Sequence, residues 1–159
     1  MVNKLPSEKL AVVGVLDPVN ATTQTGTAGT SGHFYTDIID MSEFRSAMFV
    51  VSTGAFGTAG QVVIDLIEAA TSYVSIGTTI TGKSGTALLE TGLDLNKQVV
   101  LNLDQSEMTA GYDWAACKMT LTCGDCYLHA VGLGLESRFK DAVITTSYGD
   151  LASVDEIVT

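Results

Sequence analysis

Apolar and polar residues alternate at period two in several stretches of this chain, the mark of half-buried β-strands. In Gln61–Glu68, Val62, Ile64 and Leu66 fall on one face. In Gln98–Asp104, Val99, Leu101 and Leu103 point one way while Asn102 and Asp104 point the other. Ser46–Ser52 is apolar at both parities, as expected of a central strand. Leu10–Leu16 is a short β-branched run ended by Asp17-Pro18, and weaker strands are predicted near Phe34–Ile39, Ser75–Ile80 and Thr86–Glu90. Thr53-Gly54, Ala59-Gly60, Gly82-Lys83-Ser84-Gly85 and Gly124-Asp125 supply turn signals between these runs. No amphipathic helix of ordinary length appears before residue 137. Many short strands at this spacing predict an all-β protein, a jelly-roll or β-sandwich.

The pattern also divides the chain. Residues 1–20 are expected to form an N-terminal segment with one short strand, and 33–137 the sandwich core. Between them ATTQTGTAGTSG, residues 21–32, is a small-residue stretch with too little apolar surface to offset its ordering entropy, and it is expected to be a flexible linker. Residues 138–159 form a C-terminal tail. Aliphatic residues recur in both terminal segments: Val2, Leu5, Leu10 and Val12 at one end, Val143, Ile144, Leu151, Val154 and Ile157 at the other. Such residues need something to dock against, either their own domain or a neighbour, and they are the candidate partner-binding residues.

At 159 residues the chain is one domain, long enough to bury a core without metal or disulfide staples. Hydrophobic residues make up 46% and charged residues 16%, so most of it is expected to fold. The net charge of −10, with only eight Lys and Arg scattered along the chain, disfavours direct contact with nucleic acid or anionic membrane, whose phosphates demand basic patches. The apolar run near the N-terminus is short and lacks a small-residue cleavage site, so no secretory signal is expected. The uncharged stretch Ser46–Ile64 is broken by Gly, Ser and Thr and does not read as membrane-spanning. A soluble protein made in a reducing cytoplasm is expected.

One segment looks like chemistry. CKMTLTCGDCYLH, Cys117 to His129, holds all three cysteines and one of the two histidines. Gly124-Asp125 between two alternating runs is a two-residue hairpin signal, which would pair Cys123 with Cys126, Leu121 with Leu128 and Met119 with Ala130. Alternation then places Cys117, Met119, Leu121, Cys123, Cys126, Leu128 and Ala130 on one apolar face, and Lys118, Thr120, Thr122, Tyr127 and His129 on the other. His129 points away from the thiols, and Cys117 lies roughly 20 Å along the strand from the turn, so four ligands cannot gather on one zinc. Core thiols are the favoured reading. A Cys123–Cys126 disulfide is sterically conceivable, though a reducing compartment disfavours it.

Elsewhere there is no Gly-x-Ser-x-Gly elbow, phosphate-binding loop or dinucleotide fingerprint; Gly132-Leu133-Gly134 lacks the third glycine and does not open a helix. His33 has no obvious partner, and His129 reads as a strand residue. Asp37, Asp40 and Glu43 cluster before a strand but do not follow a calcium-loop pattern. No catalytic constellation, metal or cofactor is expected.

FYTDIIDMSEFRSAMFVVSTGAFGTAGQVVIDLIEA, residues 34–69, resembles a recurrent pattern in small structural proteins of tailed bacteriophages, and KQVVLNLDQSEMTAGYDWAACKMTL and SRFKDA fit the same layout. Such proteins resemble capsid decoration, or cement, proteins. The resemblance implies a compact sandwich on the outer face of the phage head, a homotrimer, bound to the major capsid protein and stabilising its lattice. It implies no enzymatic activity and a virion location after synthesis in the host cytoplasm. Two other readings share the composition: a carbohydrate-binding jelly-roll module, with Tyr112 and Tyr127 flanking a shallow site, and a tail-tube or head–tail connector protein.

Overall fold

A computed structural model describes residues 10–22, 31–72, 77–85, 87–92, 94–122 and 124–137. Its strands, in chain order, are β1 (Leu10–Thr22), β2 (Ser31–Tyr35), β3 (Ile39–Asp40), β4 (Phe44–Phe56), β5 (Gln61–Ala69), β6 (Thr78–Ser84), β7 (Leu88–Leu89), β8 (Gln98–Asp104), β9 (Trp114–Thr122) and β10 (Asp125–Ser137). Among the described residues the one helical element is a 3₁₀ turn, Gln105–Glu107, capped reciprocally by Asp104 and Glu107. All strand pairs are antiparallel, in two sheets. Sheet A runs β1-β10-β4-β8; sheet B runs β2-β9-β5-β6, with β3 beside β9 and β7 beside β5. The protein is a β-sandwich, the predicted class.

The alternation in the sequence is the cause of the layering. On β4, Ala47, Phe49, Val51 and Thr53 are buried while the residues between them are half-buried. On β5, Val62, Ile64 and Leu66 are buried. These inner faces meet in one core with Phe44, Ile39, Met41, Leu103, Met119 and Leu128, all at most 1% exposed. Each such side chain contributes about 1.5–3 kcal/mol by leaving water. Space for the rings comes from β10, where Gly132 and Gly134 face inward. A Cβ on Gly134 would lie 2.7 Å from two ring carbons of Phe44, and one on Gly132 would lie 3.1 Å from Phe49.

Three expectations are corrected. The predicted hairpin between β9 and β10 does not exist: β9 pairs with β2, β3 and β5 in sheet B, whereas β10 pairs with β1 and β4 in sheet A. The link between them crosses the end of the sandwich. There Gly124 takes φ +65, a Cβ on it would stand 3.0 Å from the carbonyls of Gly57 and Thr58, and the Gly57 N–H donates to the Asp125 carbonyl. Inward residues of β9 and β10 therefore face each other across the core instead of lying side by side. Cys123 is outside the described residues.

Second, residues 10–20 are not separate from the sandwich. β1 passes Asp17-Pro18 through an irregularity between Leu16 and Val19 and continues to Thr22, so the turn signal there marks a bulge, not a strand end. Third, the expected linker is shortened at both ends. Ala21 is fully buried opposite Cys126 at the end of β1, and Ser31 and Gly32 begin β2; residues 23–30 lie outside the described residues.

Candidate functional site

The cysteines sort as core. Cys117 and Cys126 are free, buried thiols on the inner faces of opposite sheets. Burial pushes Cys117 up to about 12, helped by the negative charge of Asp65, and pushes Cys126 up to about 11 despite a backbone hydrogen bond from Gly54 that favours the thiolate. His129 sits on the outer face of sheet A, 3.0 Å from the Leu16 carbonyl; a carbonyl only accepts, so its Nδ1 carries the hydrogen. Among the described residues no group of three or more His, Cys, Asp or Glu gathers where a metal could be held.

The other candidates are engaged locally. Asp37 Oδ2 accepts from the Val15 N–H at 3.2 Å, tying the 36–38 link to the edge of β1. Asp40 Oδ1 accepts from the Ser42 N–H and hydroxyl, an Asx turn leading into β4. His33, expected to lack a partner, lies 3.3 Å from Thr120 Oγ1 on the adjacent strand β9. Tyr112 and Tyr127 do not flank one site. Tyr112 precedes the start of β9 and Tyr127 begins β10 beyond its end, so the length of β9, roughly 30 Å, separates them. A feature the sequence did not reveal is Glu68, 5% exposed at the end of β5, whose carboxylate accepts from both the N–H and the hydroxyl of Thr109 and so anchors the 105–113 loop.

Of the terminal residues, Leu10 and Val12 belong to β1, half-buried on the outer face of sheet A. Val2, Leu5, Val143, Ile144, Leu151, Val154 and Ile157 lie outside the described residues.

That outer face is the most distinctive surface among the described residues. Strand register lines its residues up in rows across all four strands. One row is Val15, Val131, Val50 and Val100, from β1 to β8. The next is Val12, Leu133, Met48 and Asn102, and beyond it Leu10 and Leu135 pair. Val100 is 52% exposed and the other aliphatic residues are half-buried. Charge is confined to the rim: Arg45 and Glu136 pair at 3.7 Å, and Lys83 bridges Glu107 at 2.6 Å beside a shallow depression bounded by Met48, Asn102 and Leu135. On the other side of the valine row the face turns polar, through His129, Ser52 and Gln98. A signal for this face existed in the sequence: β4 and β10 are apolar at both parities, and sheet B covers only one.

No family model and no curated protein matches the chain. Among solved structures, it is similar to the K1 cleaved-adhesin domain of Lys-gingipain from Porphyromonas gingivalis W83, with 14% identity and TM-score 0.35 over 76% of this chain and 72% of the other. A carbohydrate-binding module that recognises mannan gives 9% identity and TM-score 0.35 over 75% and 73%. A protein of infectious bursal disease virus, Gt strain, gives 10% identity and TM-score 0.29 over 82% and 40%. None superimposes closely, and the fold assignment rests on this chain's own strand pairing. Among the described residues no helix is long and apolar enough to cross a membrane.

Proposed function

We propose that this chain is a structural virion protein of a tailed bacteriophage, which binds the outer surface of the head through the major capsid protein and stabilises the capsid lattice. The sequence resemblance over most of residues 34–142 motivates the reading, and one structural observation supports it. β1 and β10 are neighbours, with Leu10 opposite Leu135, so the last described residues at the two ends of the chain lie at adjacent points at one end of sheet A. A module whose two aliphatic terminal segments start side by side is suited to gripping a surface on one side. Many such contacts, each weak, hold firmly when repeated over a symmetric lattice.

The test is deletion. Chains lacking residues 2–9 or 138–159 keep all the described strands, and they are expected to fold, by circular dichroism, yet to lose co-sedimentation with heads purified free of this protein. Undiminished decoration by either truncated chain removes the terminal grip from the mechanism. Absence of binding by the full chain removes the function itself.

A further inference from the structure

We propose that the outer face of sheet A is the contact between two copies of this chain, packed sheet on sheet about a two-fold axis that runs along the strands between β10 and β4. The inference rests on strand register and stands apart from the head-binding reading.

Three observations select a second copy over other covers. The first is width. The valine row crosses all four strands, from Val15 on β1 to Val100 on β8. Four strands about 4.8 Å apart make a face roughly 19 Å wide, whereas a single extended segment laid along it covers about half of that. A sheet is the element that fits.

The second is area. Over the nine residues from Tyr127 to Leu135 the face is roughly 30 Å long, giving a footprint on the order of 550 Å². Two such footprints bury about 1,100 Å², which clears the roughly 1,000 Å² expected of a specific interface. The third is charge. A chain of net charge −10 repels its own kind except where it is uncharged, and the middle of this face carries no charged side chain. A different partner for so acidic a protein would be drawn by complementary charge at the contact, and there is none here to read.

The axis follows from matching like with like. Rotation about the strand direction lays β10 of one copy over β4 of the other and keeps every row at its own height. Val131 then meets Val50 of the second copy, Leu133 meets Met48, and the polar His129–Ser52–Gln98 row meets itself. Aligned packing about 10 Å apart is a common way for two apolar sheet faces to meet. Such a contact is isologous and closes at two copies, not at the three implied by the sequence resemblance.

The test is the solution mass of the full chain by sedimentation velocity. Twice the chain mass is expected. Val50→Lys and Val131→Glu should each raise the dissociation constant at least about tenfold and give single chains. Mixing the two variants should restore the double mass, since Lys at 50 in one copy faces Glu at 131 in the other; Thr79→Lys on sheet B should change nothing. If Val50→Lys fails to fold by circular dichroism, Val100→Lys, at a position already half in water, replaces it. A wild-type chain that stays single, a three-copy mass, or pairs that survive both variants overturns the proposal. So does a single wild-type chain that gains binding of an apolar dye once residues 138–159 are removed, because its own tail would then be the cover.

Discussion

Replacing Gly134 by Ala adds one methyl group to the inner face of β10, and the structure says what that methyl meets. It would stand 2.7 Å from Cδ1 and Cε1 of Phe44 and 2.9 Å from Cγ, inside contact distance of a ring that is fully buried. The ring has little room to retreat, because Phe44 opens β4 among core residues of both sheets. Overpacking of this kind costs about 1–3 kcal/mol. Glycine in a strand interior carries a backbone-entropy penalty of roughly 0.5–1 kcal/mol that alanine removes, so the two effects oppose. The steric term is larger, and a net loss of about 1–2 kcal/mol is expected. For a chain of this size that is roughly 3–6 °C in Tm. Urea unfolding of Gly134→Ala, Phe44→Leu and the double variant measures both the loss and its origin. Phe44→Leu alone destabilises by removing ring contacts. In the double variant the added methyl has space, so the pair should be no less stable than Phe44→Leu alone, a favourable coupling of about 1 kcal/mol. A Gly134→Ala chain as stable as the wild type, or additivity in the double variant, refutes the packing of Phe44 against β10.

Other consequences are as direct. Cys117 and Cys126, with burial holding them near 12 and 11, should resist alkylation at pH 8 in the folded protein, where less than about one thiol in a thousand is ionised, and react on unfolding; rapid native labelling of either would show that it is not core. The Asp104 N–H, above all, and Lys83 hold the Glu107 carboxyl below the ordinary range. Its charge therefore stabilises the fold at neutral pH, and the contribution is lost as pH falls through the folded-state value. Glu107→Gln should cost about 0.5 kcal/mol at pH 7, the exposed lysine pair adding little, and nothing in acid; a pH-independent difference by urea titration contradicts this. Thr109→Val removes the hydroxyl that donates to buried Glu68 and should cost about 1–3 kcal/mol, with the 105–113 loop gaining hydrogen exchange first.

The sequence made the inward faces legible and left their partners hidden. Alternation in β5, β8 and β9 identified Val62, Ile64, Leu103, Met119 and Leu121 as inward residues, and they are buried. It did the same for Cys117 and Cys126, which are buried thiols even though the hairpin was wrong. The reason is physical. In a sandwich both sheets turn apolar faces inward, so two successive strands show the same alternation whether they pair edge to edge or oppose each other across the core. Gly124 marks a tight change of direction, not which sheet the next strand joins; contacts with the 57–60 turn, distant in sequence, decide that. The Asp17-Pro18 misreading has a related cause, since an edge strand tolerates a proline that an interior one would not. The outer face was half legible. Apolar residues at both parities of β4 mark a central strand, which it is, but the same pattern also announces a second apolar face, on the outside of sheet A.

The placement of β10 has a consequence for the order in which the molecule comes into being. It lies between β1 and β4 in sheet A, yet it is synthesised last of the ten strands. When β1 and β4 emerge, the strand that joins them does not yet exist. At about 5–20 residues per second, the interval between Thr22 and Leu135 lasts roughly 6–23 seconds. Throughout it β1 lacks its ladder partner among the described strands and β4 has an open edge, both apolar and both β-prone. Closure of the sheet is thus a late, post-synthetic event over a long loop, the kind of step that is slow and exposed to wrong pairings between nascent chains. A cell making this protein in quantity must keep neighbouring chains apart until each has completed its own β10.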